Sequence, residues 1–384
     1  MSYYIHAAQF FLRHTVEHGG YLEITDDGKF GDYSTDKPVG KIVDYGQQMI
    51  APGLVDTHIH GLLNHDVMDN DLTALKEMSE GLLQTGVTSW LPTTLTASVE
   101  QLNAVTATIG AHYQEMPGAK IQGIHYEGPF FTVKHKGAQN PTYFRDPDID
   151  IFNHWQELAH GLVKKIAIAP ERKGAAEFTK AVAAQKVAVA LGHTDATYEQ
   201  AKAVMDAGAS VFTHAFNGMR GFDHKAPGMA GAAMVMHGAT AELICDGHHV
   251  HPKAAEILFD AQGPEHIALV TDCMRAGLMP DGDYVLGEYP VIVADGMARM
   301  KQGGSLAGSV LQLKDGLKNV VDWGFATPAQ ASLMASTIPA KSSYIGDQCG
   351  QISPGRAADF IVLNPDMSLA LTYLDGEKRY QADA

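Results

Sequence analysis

The sequence has little cysteine, no apolar run long enough to cross a membrane and an excess of acidic over basic residues. Its three cysteines, Cys245, Cys273 and Cys349, are odd in number and far apart, so they do not form a disulfide framework. The first residues lack a basic segment followed by an apolar core, so we expect no secretory signal. Both observations favour the reducing cytoplasm.

The charge balance excludes some classes of partner. The chain has 28 Lys and Arg against 44 Asp and Glu, a formal net charge of −16. Such a surface disfavours roles that depend on nucleic-acid phosphates or anionic lipid. An anionic small substrate stays compatible, because a local basic pocket can exist in an acidic protein. We therefore expect a small-molecule partner, with no nucleic acid and no membrane.

From residue 52 onward, short apolar runs alternate with amphipathic segments. Candidate strands cover residues 51–56, 87–91, 120–126, 165–169, 187–191, 210–213, 241–245 and 267–271, and helices are predicted over 73–84, 99–112 and 198–207. Eight strand–helix units predict a (β/α)8 TIM-like barrel, which is typically about 250 residues long. A doubly wound sheet is the alternative, but no Gly-x-Gly-x-x-Gly turn follows the first strand.

The two ends of the chain differ from its middle. Both read as short strands and turns rather than as strand–helix units. We therefore expect an α/β protein in which residues 1–51 and 344–384 together form a small β-sandwich domain. The intervening residues 52–343 are expected to form the barrel.

Histidine or acidic residues follow five of the eight predicted strands. They are His58 and His60 in the segment DTHIH, then Glu127, His193, His214 and Asp272. Barrel enzymes place their active sites at these strand ends, and two histidines at i and i+2 of a strand point the same way. Two histidines with one carboxylate leave a hydrolytic metal site open for water. The His58–His60 pair would serve a second ion, with Glu127 as the bridge and Asp272 as the proton carrier.

Each of these residues also has an ordinary structural explanation. A single histidine after a strand is more often a hydrogen-bonded core or loop residue. Glu127, which precedes Gly-Pro, is explained as a turn acceptor, and Asp272 as a helix N-cap. These explanations suffice one at a time, but they do not explain five strand ends with the same residue types. We therefore favour the joint metal site.

Further motifs accompany these strand ends. They are, in chain order, 125–129 (HYEGP), 136–139 (KGAQ), 191–196 (LGHTDA), 213–219 (THAFNGM), 227–231 (PGMAG), 246–249 (DGHH), 270–272 (VTD) and 304–309 (GSLAGS). With the His-x-His pair, this set resembles the amidohydrolase superfamily. Within it, the chain is most similar to the N-acetylglucosamine-6-phosphate deacetylases. The resemblance runs in order from about residue 51 to the C-terminus.

The resemblance implies a reaction and a set of residue roles. Metal-bound hydroxide attacks the acetyl carbonyl of N-acetylglucosamine 6-phosphate, and Asp272 as acid/base passes the proton to the leaving amine. The implied metal ligands are His58, His60, Glu127, His193, His214 and Asp272. The implied substrate-binding residues are Ala138, Gln139, Asn217, Gly218, Lys225, His249, Leu306, Ala307 and Gly308. Family members are typically homodimers, so we expect one here.

Some positions depart from the family pattern. Lys225 stands where the family usually has arginine, which keeps the charge but loses the bidentate fork. Arg220 is either a substitute phosphate donor or a solvated loop residue, and we favour the latter. Gln139 replaces the histidine of some members, so it can hydrogen-bond a hydroxyl but cannot be a protonated imidazole. Lys164 and Lys165 begin the fourth strand and are expected at the surface, so no carboxylated lysine is predicted.

The sequence leaves the metal and the substrate partly open. One or two divalent ions per chain are expected, zinc as the first choice and iron, manganese or cobalt as alternatives. The altered phosphate segment also permits a deacetylase of a related N-acetylated sugar. A nucleoside or cyclic-amide hydrolase and a non-catalytic amidohydrolase-like binding protein are the remaining alternatives.

Overall fold

The computed structural model describes residues 2–383. In chain order, its strands form three sets, first those before the barrel, then those of the barrel region, then those after it. The first set is β1 (Tyr3–His6), β2 (Gln9–Phe11), β3 (Val16–His18), β4 (Tyr21–Ile24), β5 (Phe30–Ser34), β6 (Ile42–Asp44) and β7 (Met49–Pro52). The second is β8 (Leu54–Ile59), β9 (Gly61–Leu62), β10 (His65–Asp66), β11 (Val87–Thr94), β12 (Lys120–Ile121), β13 (Ile124–Phe130), β14 (Val163–Ile168), β15 (Ala188–Leu191), β16 (Val211–Phe212), β17 (Thr240–Leu243) and β18 (Ile267–Leu269). The third is β19 (Gly282–Leu286), β20 (Tyr289–Ala294), β21 (Met297–Met300), β22 (Phe360–Leu363), β23 (Leu369–Leu374) and β24 (Glu377–Gln381).

The helices lie mostly between the strands of the second set. They are α1 (Leu72–Leu82), α2 (Val99–His112), α3 (Ile149–Leu158), α4 (Ala175–Ala183), α5 (Tyr198–Asp206), α6 (Gly228–Val235), α7 (Pro252–Gln262), α8 (Leu313–Asp322), α9 (Pro328–Ser332) and α10 (Ile338–Ser342). A π-helical turn, Leu333–Thr337, joins the last two. Within residues 2–383, no helix combines the length and the apolar character needed to span a bilayer.

Local sequence explains where several of these helices begin. The Ser98 hydroxyl accepts a hydrogen bond from the backbone of the first turn of α2, and the Asp148 carboxylate does the same for α3. Thr197 and Gln200 form a reciprocal capping box at the start of α5. Such caps satisfy backbone N–H groups that have no partner inside the helix.

Eight parallel strands form the barrel, in the order β8-β11-β13-β14-β15-β16-β17-β18. The segment that follows the last strand returns to the first, where Ile59 and Cys273 form a parallel bridge. The barrel strands are almost entirely buried, because helices cover their outer face. The predicted (β/α)8 barrel is confirmed, and each predicted strand overlaps an observed one.

Two sheets combine strands from the ends of the chain. One has the order β5-β4-β1-β6 and the other β24-β23-β22-β7-β2-β3. Ile5, Phe10, Phe30 and Phe360 belong to one shared core, so the two sheets pack face to face. The β-sandwich beside the barrel is thus confirmed. The domain limits 1–51 with 344–384, and 52–343, stay a prediction, and Met1 and Ala384 lie outside the described range.

A further sheet, the antiparallel β19-β20-β21, was not predicted from the sequence. It lies in the chain between the last barrel strand and α8. Its side chains share an apolar cluster with Leu95, Ala138 and Ala307, which belong to loops at the carboxyl ends of the barrel strands. This sheet therefore covers one side of the barrel opening.

Candidate active site

The predicted metal-ligating residues all lie at the carboxyl ends of barrel strands. They are His58, His60, Glu127, His193, His214 and Asp272. Two lie at the end of β8, one lies in β13, and one each lies just after β15, β16 and β18. Because the carboxyl ends of barrel strands surround one opening, the six side chains meet there. Five of the residues are buried, and the side chain of Asp272 is 13% exposed.

The potential ligands form two groups, and Glu127 belongs to one of them and contacts the other. One group is His58, His60 and Asp272, and the other is Glu127, His193 and His214, with the ligand atoms of each group within 4.8 Å of one another. Glu127 Oε1 lies 3.1 Å from Nε2 of both His193 and His214. Glu127 Oε2 lies 3.2 Å from His60 Nε2, which is also 3.2 Å from Asp272 Oδ1. Glu127 therefore directs one carboxylate oxygen towards each group.

In all four histidines, Nδ1 faces a hydrogen-bond acceptor while Nε2 faces the centre of the cluster. The acceptors are the Thr93 carbonyl for His60 at 3.2 Å, the His135 carbonyl for His193 at 3.0 Å, the Asn217 carbonyl for His214 at 3.1 Å and the Glu242 carboxylate for His58 at 3.1 Å. These contacts favour the tautomer that carries its hydrogen on Nδ1. The Nε2 lone pairs are then directed at one another and at the carboxylates.

This set of donor atoms fits a divalent cation. Nε2 of His193 and Nε2 of His214 lie 3.2 Å apart, although neither can donate in the tautomer described above. His58 Nε2 is buried and has no hydrogen-bond partner among the described residues. Imidazole nitrogens and carboxylate oxygens that converge in this way are the ligands that zinc and related metals take in proteins. The cluster can therefore hold a metal.

The acidic residues of the cluster shift the pKa values of its histidines. Burial disfavours the charged form of His58, but the carboxylates of Glu127 and Asp272 outweigh burial and raise the pKa of His58 to about 9. Burial likewise opposes ionisation of Glu127, but the imidazoles of His58 and His193 hold its pKa well below the usual range. The buried carboxylates of the site are therefore stabilised by neighbouring positive charge. A bound cation can supply that charge without a proton on Nε2 of the histidines.

Three of the six residues have left-handed backbone conformations. The φ angle is 45° at His193, 27° at His214 and 50° at Asp272. A residue other than glycine pays about 1–3 kcal/mol for such a conformation, and proteins hold such residues mainly at functional sites. At Asp272 the backbone is held on both sides, because its N–H donates to the His58 carbonyl and its carbonyl accepts from Ser309. The chain thus turns sharply just after these strands, where the side chains meet.

A cavity of about 270 Å³ opens onto the cluster. Eight of the nine predicted substrate-binding residues line it: Ala138, Gln139, Asn217, Gly218, His249, Leu306, Ala307 and Gly308. Its wall also contains Ser305 of the 304–309 segment, together with Leu95, His135 and Leu286, which belong to none of the sequence motifs. The structure thus brings the predicted sugar-binding segments together around the ligand cluster.

The two cationic residues considered for phosphate lie elsewhere. Lys225 is exposed and does not line the cavity. Arg220 forms a bidentate ion pair, with Nε and Nη2 at 3.0 and 2.8 Å from the two carboxylate oxygens of Asp195. It is thus half-buried and paired, which neither interpretation of the sequence foresaw. Within residues 2–383, no lysine or arginine lines the cavity, and the basic groups on its wall outside the ligand cluster are His135 and His249.

Two charged residues below the cluster were missed or misplaced by the sequence analysis. Lys165 was expected at the surface, but it is completely buried, and its ammonium group donates to Glu242. The expectation was wrong because β14 begins at Val163, so Lys165 lies within the strand, where its side chain meets the opposite charge of Glu242 inside the barrel. Glu242 is the one charged residue in the predicted strand 241–245, and this signal could have identified it.

Comparison with known proteins places the chain in a family. The amidohydrolase family pattern matches residues 49–379, a range that contains all six cluster residues. The N-acetylglucosamine-6-phosphate deacetylase of Vibrio furnissii is 39% identical over 341 residues, which cover 88% of this chain and 85% of that protein. The N-acetylgalactosamine-6-phosphate deacetylase of Escherichia coli O157:H7 is 37% identical over 337 residues, 88% of this chain and 89% of that protein.

The fold is similar to a solved structure over nearly its whole length. That structure is a variant of N-acetyl-D-glucosamine-6-phosphate deacetylase from Mycobacterium smegmatis in complex with N-acetyl-D-glucosamine-6-phosphate. The TM-score is 0.93 at 30% identity, and the match covers 98% of this chain and 99% of that one. Sequence, fold and ligand cluster agree, and the chain belongs to the amidohydrolase family.

Proposed function

We propose that this chain is a metal-dependent hydrolase that converts N-acetylglucosamine 6-phosphate to glucosamine 6-phosphate and acetate. The observation that supports this most directly is the position of Asp272. Its carboxylate lines the cavity and lies 3.2 Å from His60 Nε2, so it can contact both a cation and a substrate. The names of the Vibrio furnissii and Mycobacterium smegmatis relatives support the same substrate.

The cluster residues would hold one or two divalent cations. Glu127, His193 and His214 would hold one ion, and His58, His60 and Asp272 the other. A bound cation supplies a Lewis acid that polarises the acetyl carbonyl and lowers the pKa of water. We take zinc as the first choice, and iron, manganese or cobalt suit the same ligands.

Asp272 would carry the proton during hydrolysis. Burial opposes its ionisation, but His58 and His60 lower its pKa, so it is a carboxylate at neutral pH. As a carboxylate it accepts a proton from the attacking water. It then delivers that proton to the amide nitrogen as the C–N bond breaks, so that the leaving group departs as an amine.

The cavity wall would orient the sugar phosphate. We place the phosphate beside His249, whose Nδ1 lies 2.6 Å from Asp246 Oδ2. Because Nδ1 is used by Asp246, Nε2 of His249 is free to donate to a phosphate oxygen when the ring is protonated. Asn217 and Gly218 on one side and residues 306–308 on the other would contact the sugar.

A second candidate substrate is N-acetylgalactosamine 6-phosphate. The Escherichia coli O157:H7 relative with this name is nearly as similar to the chain as the Vibrio furnissii relative. The two substrates differ only in the configuration of one ring hydroxyl. The same cluster and the same Asp272 chemistry serve both, so the sugar contacts would decide between them.

We also propose that the protein acts as a homodimer in the cytoplasm. Phe222 and Val235 are exposed and line one apolar surface groove, which a second copy would cover. All three cysteines are buried and none is in a disulfide, as expected in a reducing compartment. Sedimentation of the purified protein tests the dimer, since a monomer at micromolar concentration would contradict it.

The proposed function is tested by acetate release from the zinc-loaded protein. N-acetylglucosamine 6-phosphate, N-acetylgalactosamine 6-phosphate and free N-acetylglucosamine are compared at equal concentrations. We expect the highest kcat/KM with the first substrate. Higher kcat/KM with the second would favour the galactosamine assignment, and no acetate from any of the three would contradict the deacetylase assignment.

A further inference from the structure

A buried ion pair lies inside the barrel beneath the ligand cluster. It joins Lys165 of β14 to Glu242 of β17, and the two side chains are 0% and 1% exposed. Neither residue lines the substrate cavity. The pair therefore contacts no substrate, and any influence on the reaction must pass through another residue.

That other residue is His58 of β8. One carboxylate oxygen of Glu242 accepts from Lys165, and the other lies 3.1 Å from His58 Nδ1. The second oxygen also lies 3.4 Å from the backbone nitrogen of His214. Three barrel strands thus contribute to one chain of contacts that runs from Lys165 through Glu242 to the ligand cluster.

His58 differs from the other cluster histidines in how its ring is held. Their Nδ1 atoms face backbone carbonyls, which the strands and loops fix in place. His58 instead depends on a flexible glutamate side chain, which must itself be anchored. Lys165 provides that anchor and also balances the buried negative charge, which would otherwise be costly to desolvate. The opposite nitrogen of His58, Nε2, is buried and has no hydrogen-bond partner in the described chain.

We propose that Lys165 and Glu242 are positioning residues that fix the His58 ring with Nε2 directed at the cation held by His58, His60 and Asp272. This inference rests on the proposed metal-dependent function. Hydrogen bonds from metal-ligating histidines to carboxylates set the tautomer and the orientation of the ring, and their loss typically costs about 10–100-fold in metal affinity. The main effect falls on the group of His58, His60 and Asp272. In the other group, Nδ1 of His193 and of His214 is held by a backbone carbonyl, and Glu242 reaches that group only through its 3.4 Å contact with the backbone nitrogen of His214.

The test compares two double variants that both remove the buried charges. Single variants would leave one buried charge unpaired and endanger folding. Lys165→Met with Glu242→Leu removes the acceptor of His58 Nδ1, whereas Lys165→Met with Glu242→Gln keeps an amide oxygen that can accept from it. The matched control is Lys120→Met with Asp359→Asn, a lysine–carboxylate pair at 2.9 Å that lies away from the cavity.

The readout is zinc, measured as equivalents retained per chain and as affinity in competition with a chelator. We expect wild type and the control to bind two equivalents. The Glu242→Leu double variant should bind one of them about 10–100-fold more weakly, and the Glu242→Gln double variant should recover most of that affinity. A merely structural role would lower the unfolding temperature without this selective loss and without the rescue.

The inference and the proposed function fail in different ways. If the Glu242→Leu double variant is folded and binds both zinc equivalents as tightly as wild type, the positioning role is overturned, while the deacetylase proposal stands. Equal weakening of both equivalents, or no recovery with glutamine, would also overturn it. Wild-type protein that retains no zinc would contradict the proposed metal-dependent function itself.

Discussion

Gln139 and Glu127 are joined by a hydrogen bond of 2.6 Å, in which Gln139 Nε2 donates to Glu127 Oε2. The amide oxygen of Gln139 accepts from the Thr96 backbone nitrogen at 3.0 Å, and the residue is buried. Both the nitrogen and the oxygen of the Gln139 amide therefore have a hydrogen-bond partner. Gln139 also lines the cavity, so its predicted contact with the sugar stays a prediction, and in the structure its amide holds the Glu127 carboxylate.

Replacing Gln139 by leucine should weaken metal binding. Glu127 would lose its donor and could rotate away from the histidines, so we expect about 10–100-fold lower zinc affinity in chelator competition. Gln262→Leu is the matched control, because Gln262 is also buried and donates at 2.6 Å, but to the Ala233 carbonyl outside the cavity. Equal zinc affinity in the two variants would refute the role given to Gln139.

Asp272→Asn should abolish most acetate release. Asparagine keeps the size of the side chain but cannot accept and return a proton, which typically contributes about 10²–10⁴-fold to the rate. The comparison is made on zinc-saturated protein, with zinc content measured in the same sample. Asp283→Asn, at an exposed aspartate, serves as the control. Activity within a few-fold of wild type at full zinc content would exclude Asp272 as the proton carrier.

Removal of the metal should lower stability as well as activity. Without a cation, the converging nitrogens and carboxylates of the cluster lose their shared partner while they stay buried. A ligand present at 100 times its Kd stabilises the folded state by about 2.7 kcal/mol. We therefore expect a lower unfolding temperature after chelation, restored by added zinc. An unchanged unfolding temperature, with loss of zinc verified, would argue against a metal at the buried cluster.

The barrel was predictable because its strands are buried on both faces and so read as apolar runs between amphipathic helices. The same regularity located the candidate ligand residues: Glu127, His193, His214 and Asp272 each lie in or within three residues of an observed strand. The strand bounds were less accurate, and Glu127 lies inside β13 rather than after it. The ends of strands depend on pairing with neighbours, which a single run of sequence does not specify.

The parts that could not be predicted depend on contacts between distant segments. Lys165 is buried only because Glu242, three strands away in the barrel order, supplies the opposite charge. The left-handed backbone at His193 and Asp272 is likewise held by distant segments: Thr132 donates to the His193 carbonyl, and Asp272 pairs with His58 and Ser309. Neither residue is a glycine, so the sequence gives no sign of this conformation. Arg220 is likewise paired with Asp195, a residue of a different segment that the local sequence around Arg220 does not indicate.

Lys120→Met should destabilise the junction between the barrel and the terminal strands. Lys120 Nζ lies 2.9 Å from Asp359 Oδ2 and 2.6 Å from Asp375 Oδ1, and the Asp359 side chain is only 10% exposed. The variant leaves the Asp359 carboxylate without its cation. We expect a loss of about 1–3 kcal/mol in the free energy of unfolding at neutral pH, measured by urea denaturation.

That loss should become smaller in acid. Burial raises the pKa of Asp359 above its ordinary value of 3.8, even with Lys120 beside it, and removing the lysine raises it further. In the window between the ordinary and the raised pKa, the folded state binds a proton that the unfolded chain does not, so this group favours folding as the pH falls. Protonated Asp359 needs no cation. Lys202→Met, at an exposed ion pair, is the control, and an equal loss at pH 7 and about pH 4.5 would contradict the argument.

His249→Ala should reduce the preference for phosphorylated substrate. The His249 side chain is 6% exposed, lines the cavity and is anchored by Asp246. A hydrogen bond between charged groups is worth about 1.5–3 kcal/mol. We therefore expect KM for N-acetylglucosamine 6-phosphate to rise about 10–100-fold, with little change in kcat/KM for the free sugar. His248→Ala, at the exposed neighbour, is the control. An equal loss on both substrates would place His249 against the sugar instead, because a phosphate contact cannot affect a substrate that has no phosphate.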